Sequence, residues 1–148
     1  MTASAATVLA MASSSAVLDA SVLVRALVYV DPQARGWLER IALGEVEVTW
    51  PTLLYAEVAH ALLRLHRAGR ISLERARRSL DAVLSAPVLA GPLETLVEPA
   101  LQLALTRGLT VYDACYVVLA ETLDAPLVTA DRRLAQATPS AVLLAHAP

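Results

Sequence analysis

"LTVYDACYVVLAETLDAPLVTADRRLA", residues 109–135, is the stretch whose reading decides how this chain folds. Val117, Val118, Leu119 and Ala120 leave no room for a water-facing stripe, so residues 112–123 read as a helix buried on almost every side. The apolar run "PLVTA", 126–130, reads as a short strand, and "DRRLAQA", 131–137, as a short helix. A buried helix that feeds a short apolar strand and then another helix belongs to an α/β fold. Its sheet is mainly parallel and covered by helices on both faces.

The same alternation runs through the rest of the chain. "AVLDA", 16–20, reads as a buried strand; "SVLVRAL" and "PQARGWLERIALG" read as helices, with Gly44 as a stop. "VEVTW" alternates and is β-branched, hence a strand. Pro51 suits the first turn of the long helix "PTLLYAEVAHALLRLHRAG", which Gly69 ends. "SLERARRSLDAVLSA" opens on a weak capping box, Ser72 with Arg75 where Glu is usual. "PVLAGPLE" holds a short strand, "LETLVEPALQLALTRG" is helical to Gly108, and "AVLLA" is a last strand. A chain of 148 residues suits one domain. It is expected over 16–148, after a flexible N-terminal extension of residues 1–15. Met11 offers an alternative start to Met1.

Composition narrows the function classes. Hydrophobic residues make up 57% and charged residues 18%, with a mean hydropathy of +0.56. No stretch supports a membrane span: the longest uncharged run, 1–18, is mostly Ala, Ser and Thr. The excess hydrophobicity is read as a thick core plus a buried protein interface. The net charge of −2 and pI near 5.9 are less basic than a nucleic-acid binder usually shows. All 12 basic residues are Arg, and without Lys the Schiff-base, P-loop and receiver-domain chemistries are set aside. Cys115 has no partner, which excludes an intrachain disulfide and a Cys-type zinc site and points to a cytoplasmic setting.

Four acids are embedded in apolar sequence: Asp19, Glu57, Asp113 and Asp131. Each Asp has a plain alternative. Asp19 and Asp131 could cap the helices that follow their strands, and Thr110 with Asp113 matches a capping pattern. Glu57 has none, because it lies in mid-helix, within the stripe Leu54, Val58, Ala61 and Leu65. Arg25 is the basic residue that could approach Asp19 or Asp113; Arg132 is read as pointing outward. Asp19 and Asp131 each follow a strand, at the edge of a parallel sheet where ligands bind. Two carboxylates at ~4 Å repel by about 4 kcal/mol at an effective dielectric near 20. A gathered set would protonate, spread apart or hold a cation, and hard oxygen donors without His or Cys suit Mg2+ or Mn2+.

Taken together, "VLDASVLVRAL", "PTLLYAEVAHAL", "LTVYDACYVVLAE" and "LVTADRRLA", in order and at this spacing, resemble the PIN-domain nucleases. Within that family they resemble the VapC-type toxins of toxin–antitoxin pairs. The resemblance implies a PIN-like three-layer fold with a mainly parallel five-stranded sheet and helices on both faces. It implies metal-dependent cleavage of RNA, a homodimer, and inhibition by a small cognate antitoxin. The family's acidic site falls on Asp19, Glu57, Asp113 and Asp131. Ser21 and Thr129 match hydroxyl positions that support the metal's water shell; otherwise they are a plain helix start and strand end.

The residues suit that chemistry. A bound Mg2+ lowers a water pKa and polarises a phosphoryl oxygen, while carboxylates position it and take up a proton. His60, His66 and His146 read as surface or core-edge residues, and "EVAH", 57–60, lacks the second helix a di-iron site needs. The Arg-rich segment "RLHRAGRISLERARR", 64–78, offers a groove and a charged rim for an amphipathic partner helix. Three other functions remain open: a PIN nuclease in RNA maturation, one acting on DNA, and a non-catalytic PIN domain that binds RNA or protein. A haloacid-dehalogenase-like phosphatase needs a second Asp where Ser21 stands.

Overall fold

The computed structural model describes residues 14–145. The expected N-terminal extension (apart from Ser14 and Ser15), the Met11 start and His146 lie outside the described residues. Five strands and seven helices follow in the order β1 (Ser14–Leu18), α1 (Ala20–Leu27), α2 (Pro32–Ala42), β2 (Val46–Pro51), α3 (Leu53–Arg67) and α4 (Leu73–Leu84). Then come β3 (Leu89–Gly91), α5 (Leu93–Arg107), α6 (Val111–Thr122), β4 (Leu127–Thr129), α7 (Arg132–Ala135) and β5 (Ala141–Leu143).

The sheet is five-stranded, in the order β3-β2-β1-β4-β5, and every pairing is parallel. α1 packs on α2 and α3, and α4 packs on α3. α6 lies against β1, β2 and β4 beneath α5. This is the expected three-layer arrangement. The chain leaves β1 towards β2 but returns through α5 and α6 to β4, on β1's other side. The crevice at the carboxyl ends of β1 and β4 is thus the topological switch point, where such sheets bind ligands. The register pairs Leu18 with Val128, which sets Asp19 beside Thr129.

The core explains the length of α6. Ala114, Cys115, Tyr116, Val117, Leu119 and Ala120 are all buried, so this helix is held by burial rather than by an amphipathic stripe. Gly108 ends α5 at φ +66°, a conformation that favours glycine, and so turns the chain into α6. No single described helix is long and apolar enough to cross a membrane.

Three expectations need correction. The first strand runs Ser14–Leu18 rather than 16–20, because the Asp19 carboxylate accepts the Ser21 amide and starts a helix at Ala20. Pro51 is not in the first turn of α3. It pairs with Gly91 at the end of β2, and the Thr52 amide continues to the Gly91 carbonyl at 3.0 Å. Proline is tolerated at such a strand end because it need not donate there. Lastly, the buried stripe of α3 is Leu54, Val58 and Leu62, with Ala61 and Leu65 only half-buried. Glu57 therefore sits at the edge of the stripe and is itself half-buried.

Candidate active site

Asp19 is 5% exposed at the carboxyl end of β1 and caps α1. Its Oδ1 accepts the Ser21 amide at 3.0 Å and the Ser21 hydroxyl. Its Oδ2 accepts the Thr129 hydroxyl at 2.7 Å. Those hydroxyls are themselves fixed: the Ala130 amide donates to Ser21 Oγ, and the Asp131 amide to Thr129 Oγ1, both at 2.9 Å. Ser21 and Thr129 thus stitch the end of β1 to the end of β4 through Asp19. Burial pushes the Asp19 carboxyl up from its ordinary range, and the hydrogen bonds from Ser21 and Thr129 only partly oppose this.

Glu57 reaches the same region from α3. Its carboxyl is pushed up to about 7, first by burial, then by the negative charges of Asp19 and Asp113. Tyr116, 1% exposed on α6, faces it. The phenol partly offsets the Glu57 rise, yet its hydroxyl reaches no partner at good hydrogen-bonding geometry. Burial and the charges of Glu57 and Asp19 hold the Tyr116 proton firmly in place.

Asp113 sits in the first turn of α6, and its amide donates to the Thr110 cap at 3.1 Å. Only half of the expected capping box forms. The Asp113 carboxylate turns instead to Arg133 Nη2, at 3.1 Å. Arg25, the cation expected near these acids, pairs with Asp31. Asp131 caps α7, with Oδ1 accepting the Arg133 amide at 2.8 Å and, more weakly, the Leu134 amide at 3.4 Å.

The fold thus brings Asp19 and Asp113 each within electrostatic reach of Glu57. Asp131 connects to Asp19 only by its main-chain amide, through the Thr129 hydroxyl, while its carboxylate faces α7. As the side chains stand, no three His, Cys, Asp or Glu groups among the described residues converge closely enough to share one ion. The reasons are local: Asp19 is turned onto two hydroxyls, Asp131 onto its own helix, and Asp113 onto Arg133. The donor set nonetheless fits a hard divalent cation. It is all oxygen, it repels itself, and no basic side chain bonds to Asp19, Glu57 or Asp131 among the described residues.

Two participants escaped the sequence reading. Tyr116 follows Asp113 by three residues and so shares its helix face, a spacing that was visible. Arg133 lies two residues after Asp131, but nothing in the sequence says that α7 carries it across to α6.

A model of the PIN domain matches residues 16–138. Ribonuclease VapC1 of Mycobacterium tuberculosis is 42% identical over 125 residues, covering 82% of this chain and 89% of that protein. Ribonuclease VapC3 of Pyrobaculum aerophilum is 33% identical over 128 residues, covering 85% and 96%. The crystal structure of PAE2754 from Pyrobaculum aerophilum superposes with a TM-score of 0.66 at 32% identity, covering 87% of this chain and 83% of that one. VapBC2 from Rickettsia felis, bound to a DNA fragment from its promoter, shares the fold with a TM-score of 0.61 at 17% identity, covering 88% and 97%. By sequence match and by fold, the chain belongs to the PIN domain family.

Proposed function

We propose that this chain is a divalent-cation-dependent endoribonuclease, the toxin of a toxin–antitoxin pair. Asp19, Glu57, Asp113 and Asp131 would hold Mg2+ or Mn2+. The observation that carries this reading is the state of Glu57: desolvated beside two like charges, with a carboxyl pushed up to about 7. An acid kept in this condition, without a basic partner and at a switch-point crevice, is suited to holding a ligand. The ribonuclease names of the relatives point the same way.

A bound divalent cation would supply an activated water and relief of charge at the scissile phosphate. This chain's own residues do the rest. Ser21 and Thr129 both donate to Asp19, so its two oxygens are fixed in direction before any ligand arrives. Without a cation Glu57 keeps its proton until about pH 7, so cation binding there would displace that proton. The Tyr116 hydroxyl has no well-formed bond of its own and is placed to donate to Glu57.

The surface supports two protein partners for the same reading. α5 exposes Val97, Leu101 and Leu105 at a spacing of four, a stripe suited to a second copy of the chain. Between α3 and α4, Leu63 and Leu73 are exposed beside Arg77, which suits an amphipathic antitoxin helix bearing acidic residues.

The test is RNA cleavage on a gel by wild type and Asp19→Asn, each in EDTA and in Mn2+. Cleavage by the wild type in Mn2+ alone is expected. Cleavage that persists in EDTA, or equally in Asp19→Asn, would overturn the reading.

A further inference from the structure

Arg133 is placed as no other arginine is. Among the described residues, Arg25 is engaged by Asp31, Arg78 by Glu74 and Arg107 by Glu121. Arg75 donates to the Val28 carbonyl, and Arg40 lies over the Trp37 ring. Arg133 alone bonds a candidate site carboxylate, Asp113. Its backbone is pinned by its amide, which donates to Asp131 at 2.8 Å. One residue is therefore tied to two of the four acids, by its main chain to one and by its guanidinium to the other. Its side chain is nevertheless 71% exposed, against 20% for Asp113. Apart from the single contact of Nη2, its guanidinium N–H groups make no hydrogen bond among the described residues.

The chain has no Lys, so any side-chain cation that meets a nucleic-acid phosphate must be an Arg or a His. Guanidinium offers five donors in a planar fork that matches phosphate oxygens. An ion pair this exposed is weak and yields readily to a competitor. A divalent cation held by the Asp113 carboxylate is such a competitor, because it offsets that negative charge and repels the guanidinium.

We infer that Arg133 is an exchangeable counter-charge: it occupies Asp113 while no cation is bound and transfers to a phosphate of the RNA strand once one is. The inference rests on the nuclease reading in both halves, the first on its cation site and the second on its RNA substrate. Arg133 is thereby a phosphate-binding residue on a fixed backbone, and the exchange couples cation binding to the capture of substrate.

The experiment compares wild type, Arg133→Gln and Arg133→Lys. Mn2+ affinity is measured by calorimetry without RNA. Binding of a short mixed-sequence single-stranded RNA is then measured over a range of salt. Ca2+ replaces Mn2+ there, and the RNA is checked for integrity afterwards. Arg133→Gln should bind Mn2+ about two- to fivefold more tightly, since an exposed competing pair is gone. It should bind RNA more weakly, with the slope of log K against log salt reduced by about 0.7, the share of one phosphate contact on a single strand. Arg133→Lys should restore the slope but not the full affinity, lacking the planar fork. Unchanged or weaker Mn2+ binding in Arg133→Gln overturns the counter-charge. RNA binding by the wild type with an unchanged slope in Arg133→Gln overturns the phosphate contact and leaves the nuclease reading intact. A wild type that binds no RNA overturns both.

Discussion

Asp19 and Asp31 are the same residue in nearly the same local setting, and the fold treats them oppositely. Both cap the N-terminus of a helix, and both are almost fully buried, at 5% and 6% exposed. Asp31 accepts the Ala34 amide at 2.9 Å and pairs with the Arg25 guanidinium. The amide first, and then Arg25, hold its carboxyl below the ordinary carboxylate range despite its burial. Asp19 receives only neutral donors, and burial pushes its carboxyl up. Asp31 follows a strained turn, in which Val30 has φ +55°, unusual for a β-branched residue. Capping therefore does not distinguish a structural acid from a functional one. What separates these two buried acids is a counter-charge, which Asp31 has in Arg25 and Asp19 lacks.

Neutralising each acid in turn separates the two. Asp19→Asn should lower cleavage by about 100-fold or more, the scale of loss at metal-holding groups and their supports. It should melt no lower than wild type in EDTA, because the variant removes an uncompensated buried charge. Asp31→Asn should do the reverse, keeping most of its cleavage while melting several degrees lower, since it orphans Arg25. Cleavage assays and thermal melts on both proteins give four readings. If Asp31→Asn loses activity as Asp19→Asn does while staying folded, the division between the two acids fails.

Thr129→Val sharpens the comparison from the side of the neutral donors. Thr129 is wholly buried and serves Asp19 Oδ2 and the Asp131 amide at once. Valine keeps the shape and leaves both groups without that partner. Each such loss costs about 1–3 kcal/mol when buried, about 2–6 kcal/mol for the two, so a fall in Tm of about 4–20 °C is expected. Added Mn2+ should recover part of that fall by binding the folded state. A variant that melts with the wild type would show that Asp19 does not depend on this hydroxyl.

Much of this was legible in the residues, for reasons that can be stated. The parallel α/β sheet follows from short apolar strands between helices, because burial on both faces leaves no alternation to read. Asp19 and Asp131 were placeable because each follows a strand directly, and strand ends of a parallel sheet share one edge. The pair Arg133–Asp113 was not legible. It depends on how α7 lies beside α6, which no local pattern encodes. Asp31 failed to stand out because a Pro32 start makes it look like an ordinary cap, and its partner Arg25 lies in the preceding helix. Pro51 misled for a related reason: proline suits both a first helical turn and a strand end, and pairing with β3 decides between them.

The smallest effect tests the sign of the charge balance itself. Glu57 in the folded chain keeps its proton until about pH 7, against 4.5 for an unperturbed glutamate. The unfolded chain therefore ionises first. The stability associated with neutral Glu57 is complete below pH 4.5 and is lost as pH rises through 7. Glu57→Gln carries no such proton, so in EDTA it should match the wild type at pH 4.5 and melt higher at pH 8. Glu57 is only half-buried, and solvent screening reduces the difference to about 1–2 kcal/mol, roughly 2–5 °C. Asp31→Asn should show the opposite trend. The lowered carboxyl of Asp31 contributes above its ordinary 3.8, and the deficit of that variant should shrink as pH falls through the folded value. Melts of the two variants against wild type from pH 2 to 8 separate the cases, with the Asp31→Asn change confined to the acid end below 3.8. A Glu57→Gln difference that stays flat across the range, or a variant that melts lower throughout, would mean that Glu57 has structural partners after all. The contrast between a compensated and an uncompensated acid would then hold for Asp19 alone.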